Sequence, residues 1–341
     1  MNYMHSDLRN RFYTPYDAQR SYKKELRRRC SAAGFAVLLN FAAMNLVATF
    51  ALNMLMGWGL YDWNEAAGAW QGVTDQVAYF LMYGVYASLA VLPVYLLTLK
   101  ITGVSANEAF PFQKVGGRKL IACLAVGMGC AMFANIATSI LGMRLESLGI
   151  PQSSAPSPVP TGAASILLFF IVFSVIPAIM EELAFRGVVL GLLRKFGDGF
   201  AVLVSAGLFG LMHGNLVQLP FAFIVGLVLG YLVVRTNSLL PAIVVHFANN
   251  FYSCMMQVAE QYVADQVMMI FSYGSMLLLL VAAFFGARYL LKKEKDFFAV
   301  KPHQEPYSLK SRLESCFAAP GIISVVILLA LYTTLVTALY S

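Results

Sequence analysis

Along most of the chain, apolar residues run unbroken for the length of a membrane crossing, and polar residues gather in the short stretches between them. A helix crossing the hydrocarbon core needs about 20 predominantly apolar residues. Runs of this kind cover residues 32–57, 77–99, 119–142, 163–193, 199–213, 217–235, 238–260, 266–291 and 320–340. The fifth is short for a span. The pattern therefore predicts an all-α fold, a polytopic transmembrane helix bundle of about 8–9 spans. No internal repeat interrupts it, and the prolines and serines of PQSSAPSPVP (151–160) predict an irregular connection.

Composition removes the soluble alternatives. Of 341 residues, 59% are hydrophobic and 12% charged, against about 25% charged in a soluble domain. Mean hydropathy is +0.70. A multi-pass integral protein of the cell membrane, with the lipid bilayer as its surroundings, follows. The net charge of +7 does not point to nucleic acid. The basic residues sit between the apolar runs, in KKELRRR (23–29), at Arg194 and Lys195, and in the 292–295 segment. That distribution orients spans. With a cytoplasmic N-terminus, the loops at 100–118, 194–198, 235–237 and 292–319 share its side. Asp62, Glu65, Asp75, Glu146, Glu260 and Asp265 then fall opposite, with Arg144 the lone cation. The C-terminus is expected outside. Trp58, Trp63 and Trp70 read as an interfacial belt on that outer side.

Five scattered cysteines without a CxxC pair predict neither a disulfide framework nor a metal cluster. The polar first thirty residues contain no short apolar core, so no cleavable signal peptide is expected. The chain divides into a basic cytoplasmic tail (1–31), three N-terminal transmembrane helices (32–142), a core at 163–260, and two C-terminal helices (261–341) joined by a cytoplasmic loop at 292–319.

The core breaks the apolar rule. PAIMEELAFRG (177–187) places Glu181, Glu182 and Arg186 inside a span; His213 ends the next, and His246 and Asn250 lie in the span beginning near 238. Ionisable groups at membrane depth cost several kcal/mol and mark function. Glu181 lies fourteen residues from Lys195 and His213 fourteen from Gly199, which puts both roughly 20 Å from the same end. His246 and Asn250 fall roughly 12 and 18 Å from it. Glu182 and Arg186, four apart, share a helix face and can pair. Glu181 is turned about 100° away, free to face a cavity. Ala206, Gly207 and Gly210 would let the fifth span approach a neighbour closely.

These groups suit water-dependent amide cleavage. Glu181 can take a proton from water, His213 can hold that water, and His246 with Asn250 can stabilise the oxyanion. A second arrangement makes Glu181, His213 and His246 three ligands of a catalytic divalent metal such as zinc, although no HExxH motif is present.

EELAFR (181–186), FGLMH (209–213) and HFANN (246–250) fit EExxxR, FxxxH and HxxxN motifs, in that order. This constellation resembles the CPBP family of intramembrane proteases, which groups type II CAAX prenyl endopeptidases with bacteriocin-processing and immunity proteins. The resemblance covers about residues 163–260. It implies a catalytic role for Glu181 with His213 as its partner, and places Glu182 and Arg186 as supports of the site. It gives the oxyanion side to His246 and Asn250. It leaves the metalloprotease and metal-free glutamate mechanisms both open. The expected function is an intramembrane endopeptidase acting on membrane-associated or lipid-anchored proteins or peptides. A catalytically silent membrane scaffold, or a bacteriocin-immunity-type protein, would retain the same residues for stability. A proton-coupled transporter would also use buried Glu and His, but no paired broken helices in two related halves accompany them.

Overall fold

The computed structural model describes residues 15–59, 63–64, 69–70, 73–150, 160–299 and 306–339. The first fourteen residues of the basic tail, nearly all of the 151–160 connection, and residues 300–305 of the 292–319 loop lie outside them. So do Asp62 and Glu65, and the side chains of Trp63, Trp70 and Asp75.

Every apolar run is helical. The helices are α1 (Pro15–Gly57), α2 (Val73–Thr102), the short α3 (Ala106–Ala109) and α4 (Gly117–Ser147). Next come α5 (Ala163–Phe196), α6 (Asp198–Met212), α7 (Gln218–Thr236) and α8 (Leu240–Ala259). Last are α9 (Asp265–Lys293), α10 (Leu309–Phe317) and α11 (Pro320–Leu339). A two-residue antiparallel pairing of Trp63–Asn64 with Ala69–Trp70 is a minor exception to the all-α architecture.

Among the described residues, six helices are long and apolar enough to cross a membrane: α1, α4, α5, α7, α9 and α11. The difference from 8–9 lies at α2, α6 and α8. α6 has 15 residues, which rise only about 22 Å against a hydrocarbon core of about 30 Å. α2, at 30 residues, is long enough to cross, and its Ala90–Thr102 stretch is apolar. α8 is long enough, at 20 residues, but His246, Asn249, Asn250, Ser253 and Gln257 dilute its hydropathy.

The basic helix ends meet at one end of the bundle. Arg29 donates to the Leu192 carbonyl, Arg194 to Asn237, Lys195 to Glu25, Lys119 to Glu294, and Arg235 to the Asp296 carbonyl. Two local devices close this end. A capping box between Ser105 and Glu108 starts α3. Asn237, at φ 46°, adopts the left-handed conformation that Asn tolerates and so terminates α7. The chain at 111–113 then pairs with 237–239, through Leu239 N–H to the Pro111 carbonyl at 2.8 Å and Gln113 N–H to the Asn237 carbonyl at 3.2 Å.

Two large apolar cores hold the helices, and a smaller third one joins α2, α5 and α8 around Phe80, Phe169, Val172 and Cys254. One is built by α1, α2, α5, α6 and α11 around Val37, Tyr95, Phe185 and Phe200. The other joins α4, α7, α8 and α9 around Cys123, Leu229, Val245 and Leu290. The five cysteines are free thiols, four of them buried. α1 and α11 touch backbone to backbone, because a Cβ on Gly34 would overlap the Gly321 backbone and one on Gly321 would overlap Ser31. Membrane helices gain dispersion contact from such close approach. Gly321→Ala should therefore lower the melting temperature of the detergent-solubilised protein, at an overpacking cost of about 1–3 kcal/mol. Gly274→Ala on α9, whose new Cβ would meet nothing within 4 Å, should leave the melting curve in place.

Candidate active site

α5 carries the first part of the site, and its backbone is widened twice. Ile171–Val175 and Glu182–Val189 form π-helical turns. The first precedes Pro177, which has no N–H to give and crowds the carbonyl four residues back. The chain answers with an i→i−5 bond from Ile176 N–H to the Ile171 carbonyl. The second runs through the EELAFR motif itself. Wide turns of this kind occur frequently at functional sites.

Glu182 and Arg186 are buried, at 0% and 1% exposure. Arg186 Nη1 donates to Glu182 Oε1 at 2.8 Å. The same carboxylate oxygen accepts from His246 Nδ1 on α8, also at 2.8 Å. Glu182 is thus more than half of a local ion pair, because it fixes a histidine from another helix. Sequence spacing identifies the Glu182–Arg186 contact. It cannot identify the second, which spans 64 residues.

A carboxylate accepts, so Nδ1 of His246 carries the shared proton, and Nε2 points the other way. There it faces Glu181 Oε2 at 3.8 Å, beyond direct hydrogen-bond range and open to a bridging water. Glu181 is the more accessible acid, with its side chain 20% exposed. The two adjacent glutamates therefore diverge in environment as their helical angle predicts.

His213 caps α6. Its Nδ1 lies 2.8 Å from the Phe209 carbonyl, and since a carbonyl can only accept, Nδ1 is the donor and Nε2 is left to act on other groups. The FxxxH spacing thus has a mechanical meaning: the carbonyl four residues back sets the tautomer. The Phe209 ring is packed edge-on to both His213 and His246 and lies under the Arg186 guanidinium, 4.1 Å away. On α8, Asn249 Nδ2 donates to Asn250 Oδ1 at 3.3 Å, so the amide nitrogen of Asn250 remains a donor. Asn249 is a site residue that motif reading passes over. Its only signal is its position next to Asn250.

Glu181, His213, His246, Asn249 and Asn250 line one cavity of about 750 Å³. Of the predicted residues, Glu182 and Arg186 lie behind its wall. Close helix approach makes the convergence possible. A Cβ on Gly210 would meet the Leu219 carbonyl at 2.8 Å, and Gly226 of α7 lies against both Ala206 and Arg186. Gly207 has nothing within 4 Å and takes no part in that contact. Among the described residues, no three His, Cys, Asp or Glu side chains stand close enough together to hold one metal ion. Glu181, His213 and His246 all line the cavity.

Residues 163–252 match the family model for type II CAAX prenyl endopeptidases, Rce1-like. A curated relative, "Putative membrane peptidase YdiL" from Bacillus subtilis (strain 168), is 32% identical over 94 residues. That match covers 27% of this chain and 38% of the relative's length. No solved structure matches the chain. The matched stretch contains all three motifs, and their side chains gather at one cavity. Residues 163–252 are thus similar to the type II CAAX prenyl endopeptidase family and to a membrane peptidase of which the chain spans 38%.

Proposed function

We propose that the chain is an intramembrane endopeptidase that hydrolyses a peptide bond in membrane-associated or lipid-anchored proteins or peptides, with Glu181 activating water. The observation that carries this reading is the split between the two glutamates. Glu182 has two donors on one oxygen and no exposure, while Glu181 faces the cavity opposite His246 Nε2.

The steps follow from these positions. Water held between the Glu181 carboxylate and His213 Nε2 gives a proton to Glu181, and its oxygen bonds to the scissile carbonyl carbon. Asn250 donates its amide N–H to the oxyanion that forms, and His246 does so in its doubly protonated form, with a proton on Nε2 as well as on Nδ1; such donors are worth several kcal/mol of barrier in enzymes generally. The C–N bond then breaks, and the leaving nitrogen takes the proton back from Glu181. Glu182 acts through His246 and Arg186 by holding the ring in place. Asn249 acts through Asn250.

Two outcomes separate chemistry from scaffold. Glu181→Gln should remove cleavage of a membrane-peptide substrate while the purified protein keeps its melting temperature in detergent; full activity in that variant would sink the proposal. Arg186→Leu should instead unfold the protein, because it strands a buried carboxylate at a cost of about 3–5 kcal/mol. A detergent-denaturation midpoint reads this directly.

The metal question has its own measurement. With the chain's own groups carrying the steps, activity should persist through chelator titration and elemental analysis should find no stoichiometric metal. Loss on chelation with recovery on adding zinc would assign Glu181, His213 and His246 as ligands instead.

A further inference from the structure

The cavity extends well past the reacting groups, and its walls differ in character. Along α8, polar side chains return every three or four residues and all line it: His246, Asn249, Asn250, Ser253, Gln257 and Glu260. This is one helix face. It runs from the site to the end of the bundle opposite the cluster of basic helix ends. Facing it are Phe169, Val172, Phe173 and Ile176 of α5. Phe169 and Phe173 are held by mutual ring contact and by Phe80 of α2.

We infer that this two-sided groove is the substrate-binding track, built for an extended peptide segment whose outer part is cationic. The inference rests on the endopeptidase reading. Beyond the motif residues, the track consists of Ser253, Gln257 and Glu260 on one wall and the Phe169–Phe173 pair on the other.

The chemistry selects a peptide over other occupants. An extended chain presents a carbonyl and an N–H at every residue, and within a membrane each must find a partner. Side-chain amides and hydroxyls carry both donor and acceptor, so the Asn249–Ser253–Gln257 face can pair with a backbone. Alternate side chains of an extended segment point to the opposite side, where the α5 wall is apolar and aromatic. A lipid tail would use only that second wall and leave the polar one unmatched.

Length fixes the reach. Fourteen residues separate His246 from Glu260, a helical rise of about 21 Å. At about 3.3–3.6 Å per residue, the track holds about six residues of extended peptide between the scissile bond and the rim. At the rim Glu260 is exposed, and among the described residues no Lys, Arg or His pairs with it. Asp265 follows at the start of α9. A segment bearing Lys or Arg about six residues from the cleaved bond meets this charge.

The test uses binding, which needs no turnover. Full-length Glu181→Gln protein in a neutral detergent is titrated with two fluorescent peptides of one Leu–Ala–Gly sequence, one with Lys at both ends and the other with Glu. Fluorescence anisotropy should give a Kd about threefold lower for the Lys peptide, as an exposed charge pair supports. Glu260→Lys in the same background should invert the preference, and Gln257→Ala should weaken both peptides equally. Equal affinity for the two peptides, no binding of either, or a preference untouched by Glu260→Lys overturns the inference. So does a Glu260→Lys effect confined to kcat in protein with Glu181 intact, since the polar face would then serve only to admit water. Failure of the wild-type chain to cleave any peptide bears on the endopeptidase reading alone.

Discussion

The buried carboxylate of Glu182 is the constraint on which the rest of the site depends. A charge at this depth persists only if it is paired and hydrogen-bonded. Arg186 on the same helix and His246 on α8 both donate to Oε1. The guanidinium that neutralises it lies on the Phe209 ring of α6, an arrangement favoured by the ring's negative face. The Phe209 backbone carbonyl in turn holds His213. One ion pair therefore links α5, α6 and α8, and sets both histidine rings without touching the reacting atoms.

Under the proposed mechanism the two adjacent acids have distinct tasks. A single glutamate could be a structural counter-ion or a base, but the environments those roles demand are opposed. The counter-ion has to be dry and held by charged or polar donors, as Glu182 Oε1 is by Arg186 and His246. The base has to keep an oxygen free and open to water. The 100° step of a helix gives neighbouring residues the two environments from one backbone, and the wide turn over Glu182–Val189 lies at the point where they diverge.

The same economy shapes the membrane-facing properties of the bundle. α8 is too polar to resemble a span by hydropathy, because one of its faces serves the cavity. Its other faces still pack in an apolar core: Val245 meets Gly127 of α4 so closely that no side chain fits at that glycine. α6 is too short to span because it ends at His213, where the chain turns back to α7. The weak spans α6 and α8 carry His213, His246 and Asn250, while Glu181, Glu182 and Arg186 lie on the strongly apolar α5.

The sequence by itself determined the helices, since the apolar runs fix where a backbone must satisfy its own hydrogen bonds in lipid. It also determined which residues break the pattern, and the depth rule brought Glu181, His213 and Asn250 to a similar level, with His246 nearer the basic end. The i,i+4 relations were legible for the same reason: Glu182–Arg186, and Phe209 with His213, are set by the geometry of one helix. What joins different helices was not legible. The bond from His246 to Glu182 and the Phe209 ring under Arg186 depend on rotation about helix axes and on close approach at Gly210 and Gly226. Those quantities arise from packing of whole surfaces, which no local spacing encodes. The two wide turns of α5 belong to the same class: Pro177 forecasts a disturbance, but only the surrounding helices decide how the backbone absorbs it.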